Sequence, residues 1–119
     1  MGLAIKRVYE PVSDQDGYRI LVDRLWPRGL SKERASVDLW LKAIAPSTGL
    51  RRWFGHDPAK WNEFRSKYSE ELAAHAGEIA QIRALARRRR VTLVYGARDT
   101  EHNQARVIAE ELERRLVPA

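Results

Sequence analysis

The chain is 119 residues long, 44% hydrophobic and 32% charged, with 22 Lys and Arg against 16 Asp and Glu, a net charge of +6. This is the length of one domain around one core, residues 1–119. It has no cysteine, which excludes disulfides, zinc ribbons, iron–sulfur clusters and thiol nucleophiles. No stretch approaches the roughly 18 apolar residues of a membrane span, and Met1–Lys6 does not read as a secretory leader. A cytoplasmic protein with no membrane partner is expected.

From the N-terminus, residues 3–9 hold enough β-formers for a strand. Pro11, Ser13, Asp14, Asp16 and Gly17 read as a loop with one short turn. Residues 18–23 are a second strand, and the unbroken Ile20-Leu21-Val22 run suits burial on both faces. Trp26-Pro27-Arg28-Gly29 stops it. Ser31, Arg34 and Ala35 suggest a helical turn. Residues 36–44 fit a short strand by the alternation of Val37, Leu39 and Leu41, or a helix by Trp40 and Ile44; the strand is favoured. Ser47 can cap a short helix through Trp53. Gly55-His56-Asp57-Pro58 is a stop and restart, with Asp57 as cap and Pro58 in the first helical position. Trp61, Phe64, Tyr68 and Leu72 then mark one helix face. Gly77 is expected to bend or split that helix, and Ile79, Ile82 and Leu85 carry the face onward to the Arg87–Arg90 run.

Residues 91–96 are the strongest strand signal. Residues 97–100 turn, and a helix follows over 101–116, with Ala105, Ile108, Ala109, Leu112 and Leu116 inward and Asp99 or Thr100 as cap. The order is that of a single small α/β domain with a mainly parallel sheet flanked by helices. The connection between the first two strands is short for a parallel crossover, so an antiparallel first pair stays open.

The positive charge is spread evenly. Residues 1–57 carry 10 basic and 7 acidic groups and residues 58–119 carry 12 and 9, a net +3 each. Arg87–Arg90 read first as a solvated helix end that complements the helix dipole, and second as a nucleic-acid patch.

In open parallel sheets ligands bind beyond the carboxyl ends of the strands. Two such ends are rich in chemistry: Asp23-Arg24-Leu25-Trp26-Pro27-Arg28 and Gly96-Ala97-Arg98-Asp99 with His102 and Asn103. If they share an edge, Arg24, Arg28 and Arg98 offer forked donors to a phosphate or carboxylate. Asp23, Asp99 and His102 are the candidate catalytic groups, orienting or exchanging protons. Asn103 fixes polar geometry, Gly96 and Ala97 admit close backbone approach, and the helix start near Glu101 offers N–H groups to an anion. Trp26, Arg51 and His56 are further ligand-binding candidates, with Arg52 and Trp53 beside them. The bland reading of the same residues is an Asp–Arg network that locks the sheet edge. His75 reads as a surface residue. The histidine spacing suits no metal site, there is no Gly-x-Ser-x-Gly, Walker loop or GxGxxG, and no cofactor is expected.

The runs Leu21-Val-Asp-Arg-Leu-Trp-Pro-Arg-Gly29, Ala45-Pro-Ser47, Leu50-Arg-Arg-Trp-Phe-Gly-His-Asp57 and Thr92-Leu-Val-Tyr-Gly-Ala-Arg-Asp99, with His102-Asn103-Gln-Ala105, resemble the YeaO-like family, a branch of an uncharacterised family of domains of unknown function. The resemblance covers essentially the whole chain. It implies a small α/β domain in a bacterial or archaeal cytosol and supplies no reaction. Some members carry a transcriptional-regulator label, but no helix-turn-helix stands out here. Wider-family members resemble one another in a Cys-His-Arg run after the last strand. This chain has His102-Asn103-Gln104 there, so thiol chemistry does not transfer. The Val22-Asp23-Arg24 strand end is similar to that of rhodanese-like domains, whose sulfur transfer needs a cysteine; only the fold analogy survives. Three functions are therefore weighed: a pocket for a small anion, with or without catalysis; a nucleic-acid binder using Arg87–Arg90; and a non-catalytic interaction domain.

Overall fold

The computed structural model describes residues 2–114. Its sheet has four parallel strands, β1 (Leu3–Arg7), β2 (Tyr18–Leu21), β3 (Leu39–Trp40) and β4 (Val91–Tyr95), in the order β1-β4-β2-β3. β4 lies between β1 and β2, with Ile5 and Ile20 both in register with Leu93. The first two strands thus never pair. Residues 8–17 return past β4, where the Thr92 hydroxyl donates to the Asp16 carbonyl, and start β2 parallel to β1, so the antiparallel alternative is excluded. All five residues of β4 are buried, as an unbroken Val-Thr-Leu-Val-Tyr run in a central strand requires.

Alternate residues divide the strands between two faces. Ile20, Val22, Leu93 and Tyr95 face the main core, which is completed by α2 (Thr48–Phe54), α3 (Trp61–Ala73), α4 (Ala76–Arg88) and α5 (Gln104–Arg114). Leu21 and Val94 face the other way, under the single turn α1 (Lys32–Ala35), with Trp26 and Trp40 packed edge-on at 5.4 Å. The β2–β3 crossover therefore covers one face and the β3–β4 crossover the other. Right-handed crossovers running in opposite directions along a sheet must divide in this way.

The thinner face is closed by a polar lock. Arg19, only 2% exposed, pairs with Asp16 at 2.7 Å and donates to the carbonyls of Ala35 and Ser36. Lys6 reaches the same carboxylate at 3.1 Å, and the Thr92 hydroxyl donates to the Asp16 carbonyl. Burial raises the Asp16 carboxyl, but hydrogen bonds from Ser13, Lys6 and Arg19 outweigh it and leave the group below its usual value. A charge buried with this many donors is held rather than exposed.

Several boundaries differ from the sequence reading. The segment 36–44 keeps only a two-residue strand and then turns as a 3₁₀ helix over Lys42–Ile44, so each competing pattern describes part of it. The long helix breaks at Ala74 and His75, before Gly77, which lies inside the first turn of α4. α5 begins at Gln104, not at residue 101. Asp99 Oδ1 accepts from the N–H groups of Glu101 and His102 and closes a turn of its own, while Asn103 Oδ1 accepts from Arg106 N and is the cap. Leu116 lies outside the described residues; Ala105, Ile108 and Leu112 are buried and Ala109 half-buried.

Gly17 carries a φ of +66°, and a Cβ there would sit 2.3 Å from the Arg90 carbonyl oxygen, which accepts from Tyr18 N. Replacing Gly17 by Ala should therefore cost about 1–3 kcal/mol or more in urea unfolding. Gly49, in α2 with nothing within 4 Å of an added Cβ, serves as the control. Its replacement by Ala should be neutral or gain up to about 1 kcal/mol.

Candidate functional site

The segments leaving all four strands meet at the carboxyl edge and wall a cavity of about 620 Å³. Tyr9 follows β1. Residues 23–28 follow β2. Ala45, Pro46 and the end of α2 follow β3, and Gly96, Ala97 and residues 102–104 follow β4. The chain leaves β2 toward α1 on one face and leaves β4 toward α5 on the other. Adjacent strands whose exits diverge open a crevice, the usual place for a ligand in a parallel sheet.

Asp23 ties the two exits together at the floor of this crevice. Its Oδ2 accepts from Gly96 N at 2.8 Å, and its Oδ1 accepts from the Gln104 side-chain amide. A Cβ at position 96 would lie 2.8 Å from Asp23 Oδ2. The close approach that Gly96 permits is thus to this carboxylate, not to a ligand as the sequence suggested. Burial pushes the Asp23 carboxyl up from 3.8 to about 6. The Gly96 and Gln104 hydrogen bonds and the charges of Arg51 and His56 oppose that rise without overcoming it.

The two proposed edge loops therefore converge. Arg24, Trp26, Arg28, Arg51, His56, Asn103, Asp23 and His102 all line the cavity. Arg24 is already engaged, donating to the carbonyls of Ala45 and Pro46 at 3.3–3.4 Å and holding that loop in place. Trp26 donates to the Leu30 carbonyl. The α5 start expected as an anion seat is occupied by its own cap, Asn103, whose amide also donates to the Asp99 carbonyl.

Arg98 and Asp99 lie outside the wall, and Arg98 is exposed. Asp99 acts from behind: its Oδ2 lies 2.8 Å from His102 Nδ1. The Glu101 N–H and the His102 ring hold its carboxyl below the usual range. His102 precedes the helix rather than belonging to its first turn, and its ring packs edge-on to Trp61 at 5.2 Å. With Nδ1 held by the carboxylate, Nε2 is the nitrogen left for other partners. His56 follows the Gly55 cap of α2 and has a φ of +57°, a backbone setting uncommon for a non-glycine residue and frequent at functional sites.

Arg28, Arg51 and Arg52 differ from Arg24. Among the described residues none of their side chains makes a hydrogen bond or ion pair. Arg28 is placed by a turn in which Leu30 N bonds to the Pro27 carbonyl and Gly29 has a φ of +81°, as the third position of a type II turn demands. Tyr9 Oη donates to the Arg28 carbonyl at 2.9 Å and pins the same turn.

Gln104, Tyr9 and Leu25 were not among the residues singled out for the site. Of the Arg51-Arg52-Trp53 run, both arginines line the cavity and Trp53 does not; Gln104 had no signal, because its partner lies 81 residues away. Among the described residues no group of three or more His, Asp or Glu is placed to hold a metal, and no helix is long and apolar enough to cross a membrane. Arg87–Arg90 close α4 and enter β4 at the amino end of the sheet, across the molecule from the cavity, and Arg89 lies over the Tyr18 ring at 4.8 Å.

Fold and site define a small parallel α/β protein with a cavity at the topological switch point of its sheet. The chain belongs to the YeaO-like family: the family model described as the inactive DUF488-N3 subclade matches residues 2–118. It is 45% identical over 112 residues to uncharacterized protein YeaO of Escherichia coli K12, covering 94% of this chain and 97% of that one. It is 43% identical over 108 residues to uncharacterized protein Rv3073c of Mycobacterium tuberculosis H37Rv, covering 91% of each. No solved structure matches it.

The raised Asp23 carboxyl gives a pH prediction. Its contribution to stability is fully present below about 3.8 and is lost as the pH rises through about 6, because only the unfolded chain ionises it freely. The cost at neutral pH is on the order of 3 kcal/mol. Asp23→Asn removes the charge, and the Gln104 amide can reverse to present its carbonyl. The variant should therefore gain in Tm relative to the parent between pH 4 and pH 7.5, by several degrees. A difference that stays constant over that range would contradict the assignment.

Proposed function

We propose that this chain binds a small molecule bearing a phosphate or carboxylate in the cavity at the carboxyl edge of its sheet. The observation that carries this reading is the set of three arginines whose side chains make no hydrogen bond or ion pair among the described residues, Arg28, Arg51 and Arg52, in the wall of one cavity. Guanidinium forks suit such oxyanions in two-point contacts. A cavity of this size that combines apolar surface with converging polar groups suits a small molecule. Phe54 and Phe64, stacked at 4.3 Å, supply part of the apolar lining.

Capture rather than turnover is favoured. The wall contains no serine, threonine or cysteine among the described residues, and the family description carries the word inactive. Asp23 holds the two strand exits together, which accounts for it without a catalytic step. The Asp99–His102 pair is the one arrangement that favours a second reading, in which His102 exchanges a proton with a bound ligand. The nucleic-acid reading rests on a separate surface, Arg87–Arg90, and predicts steep salt dependence.

Thermal unfolding in the presence of inorganic phosphate and small phosphomonoesters tests the proposal. A ligand at about 100 times its Kd adds roughly 2.7 kcal/mol to the folded state, a rise of several degrees. The rise should vanish in the double variant Arg51→Ala, Arg52→Ala and persist when Arg87–Arg90 are replaced by Ala. Persistence in the double variant would overturn the reading. Arg98→Ala should leave the rise unchanged.

A further inference from the structure

The anion reading leaves part of the cavity unexplained. An inorganic anion needs only the arginine wall, yet the open cavity measures about 620 Å³. Tyr9, Val12 and Leu25 stand out as large exposed apolar side chains, and two of them, Leu25 at 65% and Tyr9 at 40%, are at this cavity. An apolar side chain of that size left in water at a cavity mouth gains by being covered.

Neither is a loose surface residue. Tyr9 is anchored at both ends: its hydroxyl donates to the Arg28 carbonyl at 2.9 Å, and the Arg7 guanidinium lies over its ring at 5.0 Å. Arg7 is itself tied to the Ala97 carbonyl at 2.9 Å. Leu25 sits three residues before Arg28, on the same β2 exit that Asp23 and Arg24 fix at its start. Leu25 and the cationic Arg28 are thus carried on one braced loop, and Tyr9 reaches that loop from the β1 exit. Arg51 and Arg52 come from α2, on a different element.

The charge also speaks to the head group. Four arginines and one carboxyl line the cavity, a formal excess of three positive charges with the histidines neutral. A phosphate monoester brings up to two negative charges and three acceptor oxygens. It matches several separate forks better than a single carboxylate does.

The geometry points to a phosphate monoester of an apolar, ring-sized alcohol as the ligand class, its phosphate against Arg28, Arg51 and Arg52 and its body against Leu25 and Tyr9. The inference rests on the anion-binding reading and narrows it. Binding energy is divided between the two ends, so removing either should weaken binding in a distinct way. No bond is made or broken.

Titration calorimetry of the purified chain with inorganic phosphate, phenyl phosphate and phenol separates the cases. Phenyl phosphate should bind at least tenfold more tightly than either of the other two. Leu25→Ser, at a position exposed enough to leave unliganded Tm unchanged, should weaken phenyl phosphate at least threefold and inorganic phosphate not at all. Equal affinity for inorganic phosphate and phenyl phosphate would overturn the inference and leave anion capture standing. Phenol binding as well as phenyl phosphate would overturn both, as would no binding of any of the three. Phenyl phosphate affinity unchanged by Leu25→Ser would overturn the assignment of the apolar end.

Discussion

β4 hydrogen-bonds to a parallel strand on each side, and the rest of the molecule follows from that. Because β1 and β2 flank it, its five residues are cut off from water, which suits the Val-Thr-Leu-Val-Tyr run that occupies the position. Because all four strands are parallel, every exit lies at one edge. Because the β2 and β4 exits turn to opposite faces, a crevice opens between them. Asp23 spans its floor by accepting from Gly96 N–H and the Gln104 amide. The carboxyl is expensive there, as its rise to about 6 shows. It is retained where it joins segments that no backbone ladder connects.

The two faces of the sheet are finished by different physics. The main face uses four helices and a continuous apolar core. The other has one helical turn and relies on Asp16, Arg19 and Lys6, whose charges satisfy one another and the free carbonyls of Ala35 and Ser36. Breaking one partner of such a set strands the rest, a larger loss than the set contributes over an apolar equivalent. The site inherits this rigidity, since Tyr9 and the 23–28 segment leave strands pinned on both faces.

Arginines of two kinds stand at the carboxyl edge. Arg24 braces the loop after β3 through two carbonyls, and Arg7 braces the β4 exit through one. Arg28, Arg51 and Arg52 have no such employment. Residue type and position along the chain do not separate these groups, because both kinds lie in the same charged segments. The distinction is made by which carbonyls come within reach after folding.

The pattern of residues carried most of the elements and the location of the site. β-Branched runs, the Ser47 and Asp57 caps and the Phe64-Tyr68-Leu72 stripe are local signals with local causes, so they could be read along the chain. The turn-forming segments after β2 and β4 could likewise be marked as chemistry-bearing. Strand order was not local: a strand's neighbours depend on burial over the whole sheet, and the intervening loop length says little when a strand from the far end of the chain inserts between the first two. The start of α5 was missed for a related reason, since Asp99, Thr100 and Asn103 all suit a cap and only the packing of His102 on Trp61 and the Asp99 turn separates them. Nor could sequence show that Asp23 meets Gln104, that Arg24 is spent on carbonyls, or that Arg98 lies outside the cavity wall. Those outcomes depend on contacts across tens of residues, and tertiary structure alone supplies them.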